Sequence, residues 1–210
     1  MGWHLTWRGR FLAIGLILAG MFSAKLWLFS FLTPSEFVSS KLLIFEGWSP
    51  TFTAGQVVEI FRSHNFEKVL VVRSITDATN AYESGRFNGE YMRNLLVQDG
   101  IPADRVTIIF PLVAKKDRTY HSALAAKEWM EKHNIPTDAI DVTTIGPHSR
   151  RSRLLYEKAF GSGTKVGILP LTDTQYDPDH WWRTSEGVRD IISESIAYVY
   201  ARTLFRASSS

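Results

Sequence analysis

The stretch "IDVTTIGPHSRRSRLLYEKAFG", residues 140–161, runs from an apolar, β-branched segment directly into one of helical period. Residues 140–145 lack the apolar/polar alternation of a half-buried strand, which is the pattern of a strand covered on both faces. From Ser149 onward, Leu154, Leu155 and Ala159 recur at helical spacing, so residues 149–160 read as a helix with Ser149 at its N-cap. Between strand and helix lie Gly146, Pro147 and His148, and just after the cap come Arg150, Arg151 and Arg153. Cations at a helix N-terminus are disfavoured by roughly 0.3–1 kcal/mol each. Something negative is expected to offset them.

Outward from this unit the same alternation repeats. Apolar runs at 41–45, 68–73, 105–110 and 165–170 are separated by candidate helices at 53–64, 84–99 and 118–133, with a last helix at 186–205. Thr53 with Gln56 three residues on has the form of a capping box, and Gly100 with Pro102 just beyond stops the second helix. Strict alternation predicts an α/β, Rossmann-like three-layer fold with a mostly parallel sheet of about five strands over residues 41–205. In such sheets ligands bind beyond the carboxyl ends of the strands. The loops to read begin at Glu46-Gly47-Trp48, at Ser74, at Pro111 through Asp117, and at Gly146-Pro147-His148.

Those loops supply the candidate site. Arg151 shares the face of Leu154, Leu155 and Ala159 and is aimed at the crevice, whereas Arg150 and Arg153 point to solvent and Arg153 can pair with Glu157 at i+4. Arg151 beside free helix N–H groups is an arrangement that binds phosphate, sulfate or carboxylate, with Ser149, Arg118, Thr119, Ser74 and Gly47 as further ligand contacts. His148 is an anion donor or a general acid/base, or else a loop histidine packed on a neighbour. Asp117 is either the cap of the helix at 118 or a second catalytic acid. Glu46 ends an apolar strand with no helix to cap, and so reads as catalytic or as the buried partner of an arginine. Trp181 and Trp182 in "YDPDHWWRTSEG" close over a ligand, touch a membrane interface or roof the core. Glu90 and Glu194 read as surface acids of their helices.

Length, charge and the N-terminus bound the rest. The 210 residues carry a net charge of +3 with Lys and Arg scattered outside the arginine cluster, so no nucleic-acid track is expected. The absence of cysteine excludes disulfides, thiol nucleophiles, Cys-ligated zinc and a lipobox anchor. The histidines have no metal-ligand spacing, so no metal site is expected, and there is no Walker A, G-x-G-x-x-G, G-x-S-x-G or H-E-x-x-H motif. Phe11 to Leu32 has the length of a bilayer span with Lys25 as its only charge, and bulky Phe22 spoils a signal-peptidase site at Ala24. An uncleaved transmembrane helix at 11–32 is expected. Arg8 and Arg10 precede it and no cation follows before Lys41, which puts residues 1–10 in the cytoplasm and the domain outside. Residues 33–40 read as a linker and 206–210 as a tail.

The chain resembles the YdcF-like family of bacterial envelope proteins, SanA and ElyC among its members. The likeness rests on "EGW" after the first strand, "GEYMRNLLVQDGIP" before the third, "DRTYHSA" after it and "TIGPHSRRSR" after the fourth, covering roughly residues 41–170. His148 and Arg151 take the His and Arg of the family's Ser-x-x-His-x-x-Arg-Ala segment, and Glu90 takes the acid before its Met-Arg. The chain departs at Thr119-Tyr120-His121-Ser122, where the family has Thr-x-Glu-Asn, and "EGW" replaces a glycine-rich turn. The resemblance implies a Rossmann-type fold, an N-terminal membrane helix, and a link to peptidoglycan or lipid-carrier metabolism. The expected function is a membrane-anchored envelope protein binding a phosphate-bearing, lipid-linked or soluble, metabolite and hydrolysing a phosphoester or pyrophosphate bond. The alternatives are a scaffold for envelope enzymes, with the arginine cluster as docking patch, and a nucleotide or S-adenosylmethionine enzyme.

Overall fold

A computed structural model describes residues 6–73, 89–110, 114 and 116–207, with the side chains of 17, 21, 22, 24 and 26 outside the description. Five strands, β1 (Leu42–Glu46), β2 (Lys68–Val72), β3 (Val106–Ile109), β4 (Ala139–Ile145) and β5 (Lys165–Leu171), form one sheet in the order β3-β2-β1-β4-β5. Every neighbouring pair is parallel. The helices are α1 (Trp7–Leu32), α2 (Ala54–Ser63), α3 (residues 89–98), α4 (Arg118–Lys132), α5 (Ser149–Phe160) and α6 (Ser185–Thr203). The α/β fold with a parallel sheet is the one expected. Successive crossovers step from β1 to β2 to β3, then return to the other side of β1 for β4 and β5. The order therefore reverses between β1 and β4, and the carboxyl end of that pair is where such sheets open a crevice.

Strand parity sorts the core into two layers. Leu43, Phe45, Val69, Val71, Leu169 and Leu171 face α2 and α3, through Val57, Phe61, Met92 and Leu96. Leu42, Ile44, Leu70, Val72, Val142 and Ile168 face α4 and α5, through Ala123, Met130, Leu155 and Tyr156. Glu46 continues the even-numbered series, so its side chain emerges on the α4/α5 side at the strand's end. Gly47 is fixed by packing: its N–H bonds the Val72 carbonyl at 2.8 Å, and a Cβ there would sit 2.6 Å from Val71 Cγ1. The expected capping box at Thr53 does not form. Thr53 is itself helical and without a side-chain cap bond, and Gln56 reaches across to both the N–H and the carbonyl of Thr172.

The N-terminal region is more integrated than an anchor plus linker. Among the described residues no helix is long and apolar enough to cross a membrane. The expected span lies within α1, a continuous helix whose last two turns belong to the domain: Leu32 is buried with Tyr176, Trp181 and Ile191, and Leu28, Phe29 and Phe31 pack around them. Trp181 Nε1 donates to the Lys25 carbonyl at 3.1 Å, and Lys25 Nζ sits 3.8 Å from the Trp182 ring centre. Arg150, expected in solvent, instead donates to the Phe31 carbonyl and lies over the Phe31 ring. Residues 33–40 are no free linker. Glu36 exchanges two backbone hydrogen bonds with Ile168 on the outer edge of β5, and the Asp141 carboxylate accepts from the N–H groups of Val38 and Ser40 at 3.0 and 2.9 Å. Gly167 leaves room for that carboxylate, with which any Cβ would collide.

Candidate functional site

The crevice at the β1/β4 reversal is a cleft of about 390 Å³, lined by Glu46, Trp48, Asp117, Arg118, Thr119, Ser122, His148, Arg151 and Glu194. Each side chain arrives by a short route from the sheet. Glu46 is the last residue of β1 and is 1% exposed, and Trp48 follows it on the rim. Gly146 to His148 make one 3-10 turn from β4 into α5, with Gly146 at φ +42°, which brings His148 over the end of β1. Arg118, Thr119 and Ser122 come from the first turns of α4, where Ser122, three and four residues on, shares a side of the helix with the other two.

His148 is the node of the cleft. Its Nε2 lies 3.4 Å from Glu46 Oε2 and 3.4 Å from Thr119 Oγ1, and its ring meets that of Trp48 edge-on at 4.7 Å. Its Nδ1 lies 3.0 Å from Glu194 Oε1 and 2.8 Å from Arg151 Nη2. The two contacts select opposite states. With a proton on Nδ1 the ring donates to Glu194, and with a lone pair there it accepts from Arg151. Arg151 in turn donates to Glu194 from Nε at 2.8 Å and from Nη2 at 3.0 Å. Burial alone would raise the Glu194 carboxyl, but His148 and Arg151 outweigh it and hold it well below the usual carboxylate range.

Beneath this network lies an under-satisfied floor. Ser152 Oγ donates to Glu46 Oε2 at 2.9 Å, whereas Glu46 Oε1, Thr144 Oγ1 and the Tyr156 hydroxyl are buried without a hydrogen-bond partner among the described residues. Burial, followed by the charge of Glu46, pushes the Tyr156 phenol well above its ordinary value, so it stays a neutral donor. Buried polar atoms left unpaired cost about 1–3 kcal/mol each. At the mouth, Asp117 adopts a left-handed conformation, φ 50° and ψ 40°, and its side chain makes no cap bond to α4. The cap role open to it from sequence is thus absent, and its carboxylate lines the cleft instead. Arg118 is exposed and has no ion pair among the described residues.

Of the residues singled out from sequence, Glu46, Asp117, Arg118, Thr119, His148 and Arg151 line this one cleft. Others do not. Ser149 is fully buried as the first residue of α5, and its hydroxyl donates back to the Gly146 carbonyl at 2.7 Å, closing the turn instead of facing a ligand. Gly47 is a packing glycine, and Trp181 and Trp182 hold α1 in place of covering the cleft. Ser74 lies outside the described residues. Arg153 pairs with Glu157 at 3.1 Å as expected, and also with Glu36 at 2.6 Å. Glu194 and Ser122 were not anticipated. A signal for Glu194 exists: it falls on the inward stripe of α6 with Ile191, Tyr198 and Ala201. No group of three or more His, Asp or Glu side chains among the described residues is arranged to hold a metal ion.

Comparison of the chain with protein-family models, with curated proteins and with solved structures finds no match.

Proposed function

We propose that the chain is a single-pass envelope protein, held by α1 on the outer side of the cytoplasmic membrane, whose cleft binds a phosphate-bearing metabolite and hydrolyses a phosphoester or pyrophosphate bond in it. The observation that carries the proposal is the pairing of two halves in one cleft. One half is cationic: the N-terminus of α4, free of any side-chain cap, with Arg118 unpaired among the described residues. Backbone N–H groups and a helix dipole there favour an anion. The other half is a proton-transfer set, Glu46, His148 and Glu194, with Glu194 orienting the imidazole.

Chemistry follows from that division. The phosphoryl oxygens take the α4 N–H groups and Arg118. Water, steered by Asp117 and deprotonated by Glu46, forms the new bond to phosphorus. The imidazolium of His148 gives its proton to the departing oxygen as the old P–O bond breaks. Transfer from Glu46 to His148 across 3.4 Å restores both groups. The anchor is supported by residues 11–24, which carry no charge ahead of the turns packed on the domain, and by the exposed apolar side chains Phe11, Leu12, Ile14, Leu16 and Leu18 on α1. Arg8 and Arg10 orient it. Family membership suggested by "EGW", "DRTY" and "HSRRSR" belongs to the same proposal. A docking-patch role for the arginine cluster finds less support, because Arg150 is turned onto Phe31 and Arg153 onto Glu36 and Glu157.

The test is phosphate release from pyrophosphate, p-nitrophenyl phosphate and a short prenyl diphosphate by the full chain in detergent. Hydrolysis of at least one, reduced roughly 10²–10⁴-fold in His148→Gln, is expected from loss of general acid catalysis. Absence of release from all three, or equal rates in wild type and His148→Gln, would remove the hydrolase assignment.

A further inference from the structure

The outward face of α6 is apolar along its length. Val188, Ile192, Ile196, Val199 and Tyr200 recur three and four residues apart and are exposed, Ile192 at 47% and Ile196 at 66%, with Leu204 following at 70%. The opposite stripe of the same helix, Ile191, Tyr198 and Ala201, faces the domain. A helix on a water-facing surface carries charged and polar groups on its outer side. Here that side breaks at Arg189 and at small polar residues such as Ser193 and Thr203, and nothing among the described residues covers it.

We infer that this face of α6 lies on the bilayer surface, its apolar side chains in the headgroup and acyl boundary, with anionic lipid as the partner. The inference rests on the anchored reading of α1. Trp27 and Phe31 of α1 and Tyr198 of α6 form a chain of ring contacts, with centroids 4.4 and 5.5 Å apart, so α6 sits where α1 leaves the domain. Upstream of that junction, residues 11–24 of α1 hold no charged side chain, and Phe11, Leu12, Ile14, Leu16 and Leu18 among them are exposed. A helix apolar on every side is stable only in apolar surroundings. Arg189, Arg202 and Arg206 are the exposed charges of this segment, and Glu186 is the acid nearest that face, while Glu194 points inward to the cleft. Basic residues flanking an apolar helical face match an anionic leaflet. A second copy stacked α6 on α6 would instead bring arginines against arginines.

The surface also bears on the cleft. The helix that carries Glu194 inward to His148 carries Ile192 and Ile196 outward, so contact with lipid fixes the element that completes the site.

The chain has no cysteine, so single probes can be placed cleanly. Full-length protein with Ile196→Cys, Leu16→Cys or Glu59→Cys is labelled with an environment-sensitive fluorophore. It is then reconstituted into phosphatidylcholine vesicles with and without phosphatidylglycerol, containing nitroxide-labelled lipid. Probes at 196 and 16 are expected to shift blue and be quenched by the lipid nitroxide, the 196 signal falling when phosphatidylglycerol is omitted, with the probe at 59 unaffected. Quenching at 16 with none at 196 overturns the inference and leaves the anchor intact. Absence of quenching at 16 removes the anchor and the inference together. Shielding of 196 that grows with protein concentration and is insensitive to nitroxide lipid assigns the face to a second copy.

Discussion

Glu194 of α6 closes on Arg151 of α5 through two hydrogen bonds, 2.8 Å from Nε and 3.0 Å from Nη2. The negative partner that the arginine-rich start of α5 calls for is therefore a protein carboxylate, supplied from 43 residues further along the chain. A cation at a helix N-terminus, read alone, is one whose removal leaves stability unchanged or raised. The pairing reverses that expectation.

Arg151→Ala leaves Glu194 largely buried beside His148 without its two guanidinium hydrogen bonds. Breaking a fully buried pair costs about 3–5 kcal/mol, and because both side chains keep some exposure the expected loss is roughly 2–3 kcal/mol. Arg153→Ala, which removes surface pairs with Glu36 and Glu157, should cost about 0.2–1 kcal/mol. Urea unfolding of the two variants beside wild type measures both, and equal losses would show that the Arg151 pair is no more than a surface contact.

Acid should find the same pair. Glu194 has a depressed folded-state pKa, so the stability it contributes is complete above its unfolded value of about 4.3 and is lost as pH falls toward the folded value. The stability gap between wild type and Glu194→Gln is expected to be constant above about pH 5 and to narrow below about pH 4. Melting curves across that range check it; a gap that widens on acidification contradicts the sign.

Strand and helix identity was legible in the sequence because the apolar runs and helical periods are strong, and the parallel order follows from their alternation. The gathering of Glu46, Asp117, His148 and Arg151 was legible for the same reason: each sits at a strand's carboxyl end or in the turn after it. What escaped was contact at long range. Glu194 looks like any acid on an exposed helix until the inward stripe of α6 is laid against α5. Trp181 and Trp182 stand beside the site in sequence logic, yet the last turns of α1 take up their faces. Ser149 follows a 3-10 entry turn as the first helical residue of α5, so the N-cap position falls on His148 and not on it.

The clasp on α1 defines where the domain begins. Removing residues 1–24 should leave the melting temperature nearly unchanged, because the contacts of Lys25 to Leu32 remain. Removing residues 1–32 deletes buried Leu32 and the Phe31 contacts of Arg150, and a buried leucine alone is worth about 2–5 kcal/mol. Denaturant titration of both truncations measures the difference, and equal stability would mean that α1 only lies against the domain.

We propose the α4 N-terminus and Arg118 as the anion-binding part of the cleft. Calorimetric titration of inorganic phosphate and pyrophosphate into the full-length protein tests it, with Arg118→Ala beside wild type and Arg105→Ala, at the amino end of β3 and away from the cleft, as control. Saturable binding to wild type is expected, unchanged in Arg105→Ala and weakened about tenfold or more in Arg118→Ala, the loss of roughly 1.4 kcal/mol or more. Wild type that takes up neither anion, or Arg118→Ala that binds as well as wild type, would contradict it.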